Sequence, residues 1–197
     1  MNAEKNILPQ SATQTRNPWT VLHKKNIYDN NWIEVSHHEV LNPNRNEGIY
    51  GLVHFKNLAI GIVPYDSEGN IWLVGQYRFP IQQYSWEIVE GGGQIGIDPI
   101  LSAQRELLEE TGIVAQKYLK IVEMHLSNSV SDELGMVFLV TNLTFQQAEP
   151  EDTEQLTVIK IPFETAYLAL QNGEITDSLS VAALLKIKIM KLEGQLI

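Results

Sequence analysis

The sequence predicts an α/β (α+β) protein in which strands come first, one helix stands mid-chain and two helices close the order. Three observations carry that reading. Residues between Trp19 and Tyr77 are rich in β-branched and aromatic side chains, and turn clusters at Asp29-Asn30-Asn31, Asn42-Pro43-Asn44 and Asp66-Ser67-Glu68-Gly69-Asn70 interrupt them. From Pro99 to Thr111, apolar residues recur at helical spacing between an aspartate and a glycine. Two further helical patterns follow residue 161.

Taken in order, strands are expected at Trp19 to Ile27, Trp32 to Leu41 and Ile49 to Phe55, with the makings of a small separate sheet. Strands follow at Ala59 to Pro64, Ile71 to Tyr77 and Trp86 to Val89. Glu90-Gly91-Gly92-Gly93-Gln94-Ile95-Gly96 reads as a loop, being too glycine-rich for regular structure. Asp98-Pro99 supplies an N-cap and a first-turn proline, and Gly112 the left-handed residue that ends many helices. Strands are expected again at Ala115 to Leu126, Met136 to Leu143 and Leu156 to Ile161. One closing helix covers about Pro162 to Gln171 and stops at Asn172-Gly173; the other starts near Asp177-Ser178 and runs towards Leu192. The expected division is a flexible arm at 1–17, the small sheet at 18–56 and the main domain at 57–197.

Composition narrows the function. The 197 residues suit one core with a small appendage, and 44% apolar against 19% charged is a globular balance. With no cysteine, disulfides, thiolate ligands and thiol nucleophiles are excluded. The net charge of −10 argues against gripping a polyphosphate backbone, so no nucleic-acid partner is expected, and any phosphate chemistry calls for divalent cations. Apolar runs such as Leu58 to Pro64 are far too short to cross a bilayer, and the polar N-terminus lacks a secretion signal. The expectation is a cytoplasmic protein with no membrane partner.

The central helix carries the chemistry. At 100° per residue from Ile100, the apolar Ile100, Ala103, Leu107 and Leu108 share one broad side. Glu106, Glu109 and Glu110 fall at about 240°, 180° and 280°, a single acidic stripe. Like charges three and four apart repel, and Arg105 is expected to pair with one carboxylate at most. Such a stripe on its own most often just meets water. Following a triple-glycine loop that exposes its backbone, it points instead to Mg2+, which takes hard oxygen ligands and substrate phosphates together.

The stretch Gly91 to Ile113 resembles the signature of the Nudix hydrolases, G-x5-E-x7-R-E-U-x-E-E-x-G-U. Gly91, Arg105-Glu106-Leu107, Glu109-Glu110 and Gly112-Ile113 fill its positions; Ile97 stands where the signature has its first glutamate. Gln76-Tyr77-Arg78, Trp86-Glu87-Ile88-Val89-Glu90-Gly91 and Ser131-Asp132-Glu133 are similar to segments of the branch that cleaves ADP-ribose and nucleoside diphosphate sugars.

The resemblance implies a Nudix fold, a mixed sheet sandwiched between helices, with a small N-terminal antiparallel sheet that joins two subunits into a homodimer. It implies Mg2+-dependent hydrolysis of a pyrophosphate bond in an ADP-ribose or GDP-mannose type substrate, Mn2+ substituting. Glu106 and Glu110 are then metal ligands, Glu109 a third ligand or a partner of metal-bound water, and the Glu90 carbonyl completes the site. Arg78, Glu133 and Glu87 are substrate-binding candidates, Arg105 braces the glycine loop, and Glu154 is the candidate general base. Two rivals stand beside this reading: hydrolysis of dinucleoside polyphosphates or nucleoside triphosphates, and a silent module that senses nucleotide sugars.

Overall fold

Asparagine-built turns shape the first sheet. The computed structural model describes residues 16–148 and 155–196, so the expected arm lies almost wholly outside the described residues. The chain divides into two units, Met1–His54 and Phe55–Ile197. In the first, β1 (Thr20–Asp29), β2 (Ile33–Leu41) and β3 (Glu47–Phe55) form a three-stranded sheet in that order, β1 antiparallel to β2. Asn30 Oδ1 accepts from the N–H groups of Trp32 and Ile33, and Asn42 Oδ1 from those of Asn44 and Asn46, so each turn satisfies its backbone through one side chain. Val40 and Ser36 are buried, whereas Val21, Leu22, Ile27, Trp32 and Ile49 are exposed.

The second unit holds β4 (Asn57–Pro64), β5 (Asn70–Arg78), β6 (Gln83–Glu87), β7 (Val89–Gln94), α1 (Pro99–Thr111), β8 (Ile113–His125), β9 (Leu134–Phe145), β10 (Thr157–Pro162), α2 (Phe163–Gln171) and α3 (Ser178–Leu192). One sheet runs β7-β4-β9-β8, the other β10-β5-β6. The first is mixed, because β4 lies parallel to β9 while its other pairs are antiparallel. Successive strand residues face opposite ways, and both faces here are apolar. Ile60, Ile62, Phe138 and Val140 pack with Ala103 and Leu107 of α1. Val63, Val137 and Leu139 pack with Leu179, Ala183, Leu184 and Ile187 of α3. A mixed sheet between helices follows, as the resemblance implied. No helix among the described residues is long and apolar enough to cross a membrane.

Two expectations need correction here. The glycine-rich stretch is no loop through Gln94: it forms β7, with Gly91, Gly92 and Gly93 opposite Ile60, Ala59 and Leu58. The expected strand at Trp86 to Val89 is cut at Ile88, where the chain leaves the β5-β6 sheet and enters the β7-β4 sheet. Strand glycines mark a close approach by another group: Glu106 of α1 approaches Gly91, and Ile60 of β4 approaches Gly93.

Candidate active site

Helix α1 is set by local chemistry. Asp98 Oδ1 accepts from the Ile100 N–H at 3.0 Å, so it serves as the cap, and Gly112 closes the helix at φ 70° with its N–H on Leu108 O. Ile97, in the position of the missing signature glutamate, is 44% exposed. The inner face of α1 carries Ala103, Leu107 and also Glu110, only 5% exposed. The acidic stripe is therefore not wholly solvated: Glu110 lies about 20° from Ala103 around the helix and goes under with it.

Arg105 also departs from expectation. Its Nη1 donates to Glu109 Oε2 at 2.6 Å while its Nη2 reaches Glu106 Oε1 and the Gly92 carbonyl, so it pairs with two carboxylates and braces the glycine strand. The planar fork of guanidinium donors permits this double pairing. The Glu106 carboxylate itself lies against Gly91, in the space that a Cβ there would fill. No residue other than glycine leaves that seat open.

On the other side of the Ile88 hinge, Glu87 is buried and binds Arg78, Nε donating to both carboxylate oxygens at 3.0 Å and Nη2 to Oε2. Burial works against the charge of Arg78, but Glu87 outweighs it and holds the guanidinium protonated above its usual range. Glu87 thus faces Arg78, which is itself partly exposed.

Arg78, Glu90, Gly91, Glu133 and Asp177 line a cleft of about 400 Å³. Burial, the hydrogen-bonded Asp177 and the charge of Glu87 push the Glu90 carboxyl well above the ordinary carboxylate range. Burial acts against ionised Asp177 as well, yet hydrogen bonds from Glu90 and Ser180 hold it below its usual value. The two carboxyl groups are thus pushed in opposite directions, Glu90 up and Asp177 down. Glu133 is raised by burial, then by Asp177 and Asp132.

The structure therefore brings Arg78, Glu90 and Glu133 to one cleft, with Glu106 behind Gly91 and Glu87 behind Arg78. Glu154 lies outside the described residues. Sequence reasoning missed Asp177 and Ser180 as site residues. Asp177 was legible as a helix cap, and it does accept from the Ser180 N–H at 2.8 Å, but nothing local shows that it faces Glu90.

Among the described residues, no three His, Cys, Asp or Glu side chains already form a cage for a metal ion. Glu106 and Glu109 are turned onto Arg105 instead. The donor set still fits a hard divalent cation: the carboxylates are all oxygen donors, Glu110 is held in place by burial, and the Gly91 seat admits the Glu106 carboxylate against β7, an edge strand of its sheet.

Comparison with known proteins gives a consistent placement. The family described as NUDIX domain matches residues 55–179, and that described as nucleoside diphosphate sugar hydrolase N-terminal domain matches residues 19–53. An ADP-ribose pyrophosphatase of Bacillus subtilis (strain 168) is 31% identical over 128 residues, 64% of this chain and 69% of that protein. An ADP-ribose pyrophosphatase of Mycobacterium tuberculosis is 33% identical over 133 residues, 66% of this chain and 64% of that protein. In fold, the chain is similar to a crystal structure of an ADP compounds hydrolase, at TM-score 0.80 and 20% identity, covering 90% of this chain and 95% of that one.

Proposed function

The chain belongs to the Nudix family, and from that premise we propose that it hydrolyses the pyrophosphate bond of a nucleoside diphosphate sugar, of the ADP-ribose or GDP-mannose kind. The products are a nucleoside monophosphate and a sugar phosphate. The observation that carries the proposal is the Glu106 carboxylate seated against Gly91, at the wall of a cleft whose charged lining is one guanidinium among carboxylates.

Glu106 and Glu110, with Glu109 and the Glu90 carbonyl, would hold Mg2+, or Mn2+ in its place. When bound, such an ion neutralises charge on phosphoryl oxygens and lowers the pKa of water. The protein's own groups do the rest. Arg78, fixed by Glu87, presents a preorganised positive charge into the cleft, where it meets a phosphate or the base. Glu133, on the wall of the same cleft, is placed to hydrogen-bond a sugar hydroxyl. Glu154 is the proposed base that takes the proton of the attacking water. The N-terminal sheet, with Val21, Leu22, Ile27 and Trp32 exposed, is the proposed face of a homodimer. A cytoplasmic setting belongs to the same proposal.

The deciding assay offers nucleotide sugars, dinucleoside polyphosphates and nucleoside triphosphates with Mg2+ and with Mn2+, and identifies products by chromatography. Monophosphate plus sugar phosphate from a nucleotide sugar supports the proposal. Preferential turnover of triphosphates or dinucleotides replaces the substrate, and binding of nucleotide sugars without turnover turns the protein into a sensor.

A further inference from the structure

At Ile88 the chain changes sheets, and the backbone there belongs to neither ladder. Ile88 is only 1% exposed, so its N–H has no route to water, and a buried donor needs a partner. The partner is Ser180 Oγ, which accepts it at 2.9 Å from 92 positions later in the chain. The same hydroxyl donates to Glu90 Oε1 at 3.2 Å. Ser180 is fully buried and is itself placed by the α3 cap, through its N–H on Asp177 Oδ2. One hydroxyl thus uses its donor and an acceptor lone pair to tie the hinge to the helix.

The hinge has functional groups on both sides. Glu87, just before it, holds Arg78; Glu90 and Gly91, just after it, line the cleft and seat Glu106. Because strand side chains alternate faces, a small backbone rotation at Ile88 would turn Glu90 and Gly91 out of phase with Glu87. We infer that Ser180 is a positioning residue of the active site: its hydroxyl sets the phase of the hinge, so that the Arg78–Glu87 pair and the Gly91–Glu106 seat face the same cleft. The inference rests on the reading of the α1 carboxylates as metal ligands given above.

The test is Ser180→Ala, with Ile187→Val as a comparison that trims the buried core about two turns further along the same helix and leaves the Ser180 hydroxyl in place. Mn2+ binding to the full chain is titrated by electron paramagnetic resonance, and exchange of the Ile88 amide is followed by mass spectrometry or NMR. Ser180→Ala is expected to weaken Mn2+ binding about ten-fold, as loss of an outer-shell hydrogen bond does, and to speed Ile88 exchange. Ile187→Val is expected to lower the melting temperature with Mn2+ affinity unchanged. Ser180→Thr, which keeps the hydroxyl, is expected to restore affinity. With a nucleotide sugar as substrate, the loss in Ser180→Ala should appear mainly in the metal and substrate KM, with kcat largely recovered at saturating metal. If wild type binds Mn2+ and Ser180→Ala binds it within two-fold, the positioning role is overturned while the metal reading stands. If wild type binds no Mn2+, both fall together.

Discussion

Alanine at Gly91 separates stability from metal affinity. A Cβ there would lie 1.9 Å from Glu106 Cδ, which must retreat by about 1.5 Å to reach the 3.4 Å of ordinary contact. Glu106 Cγ also falls at 2.4 Å, so the side chain must change rotamer as a whole, not only at its tip. An off-rotamer Glu106 costs roughly 0.5–1.5 kcal/mol, and its half-exposed pairing with Arg105 is worth about 0–1 kcal/mol. Reduced freedom of the unfolded chain returns roughly 0.4–1 kcal/mol, so the net change in stability should stay within about 1–2 kcal/mol. Metal sites tolerate ligand shifts of only about 0.2 Å, so the same displacement removes Glu106 as a ligand. Mn2+ affinity is then expected to fall at least about ten-fold, or ~1.4 kcal/mol. Thermal melting and Mn2+ titration read the two effects. The neighbours supply controls: Gly92 has nothing nearer than 3.9 Å, so Gly92→Ala should leave Mn2+ affinity unchanged and stabilise by roughly 0.4–1 kcal/mol. Gly93→Ala meets Ile60 Cγ1 at 2.8 Å and should cost about 1–3 kcal/mol of stability by overpacking. A Gly91→Ala protein that binds Mn2+ as tightly as wild type would refute the reasoning.

Glu110→Gln keeps size while removing a buried carboxylate; turnover should drop by about 100-fold or more, the several kcal/mol a metal-stabilised step supplies, with the fold intact by circular dichroism. Near-normal turnover would discard Glu110 as a ligand. Arg78→Ala strands the buried Glu87, so it should both raise substrate KM and destabilise by a few kcal/mol, up to about 3–5 for a fully buried pair and less here because Arg78 is partly exposed. Recovery of stability, but not of KM, in Arg78→Ala combined with Glu87→Gln would separate the two roles; recovery of both would show that Arg78 is structural. Burial acts to raise Asp66, but Lys160 and donors at Asn70 and Glu68 hold it at about 2, below its ordinary 3.8. The stability it contributes is therefore complete above about pH 4 and is lost as pH falls towards 2. Asp66→Asn should melt lower at neutral pH and show a shallower decline of melting temperature across that window; parallel curves would rule out the linkage.

Legibility tracked how local the physics is. Asp98, Pro99 and Gly112 announce α1 within a few residues of its ends, and both ends fall where those residues put them. The turns at Asn30 and Asn42 are equally self-contained. The glycine run misleads because its strand character is not local: β7 exists through pairing with β4, and Gly91 answers to a carboxylate on the following helix. The burial of Glu110 is not evident when only apolar residues are counted into the inner face, which leaves this candidate ligand on the acidic side, although its angle lies beside that of Ala103. Ser180 and its Ile88 partner are 92 positions apart, and no periodicity encodes such a bond.

The parallel pairing of β4 with β9 carries a kinetic consequence. Ala59 lies opposite Gly135, so β7, α1 and β8 all belong to the loop that this pairing closes. Closing a long loop costs entropy before any contact rewards it, which makes such pairings late and slow. Half of the platform under α1 is missing until then. On dilution from denaturant, helical signal should return first, and the capacity to capture Mn2+ should lag until the two strands have met.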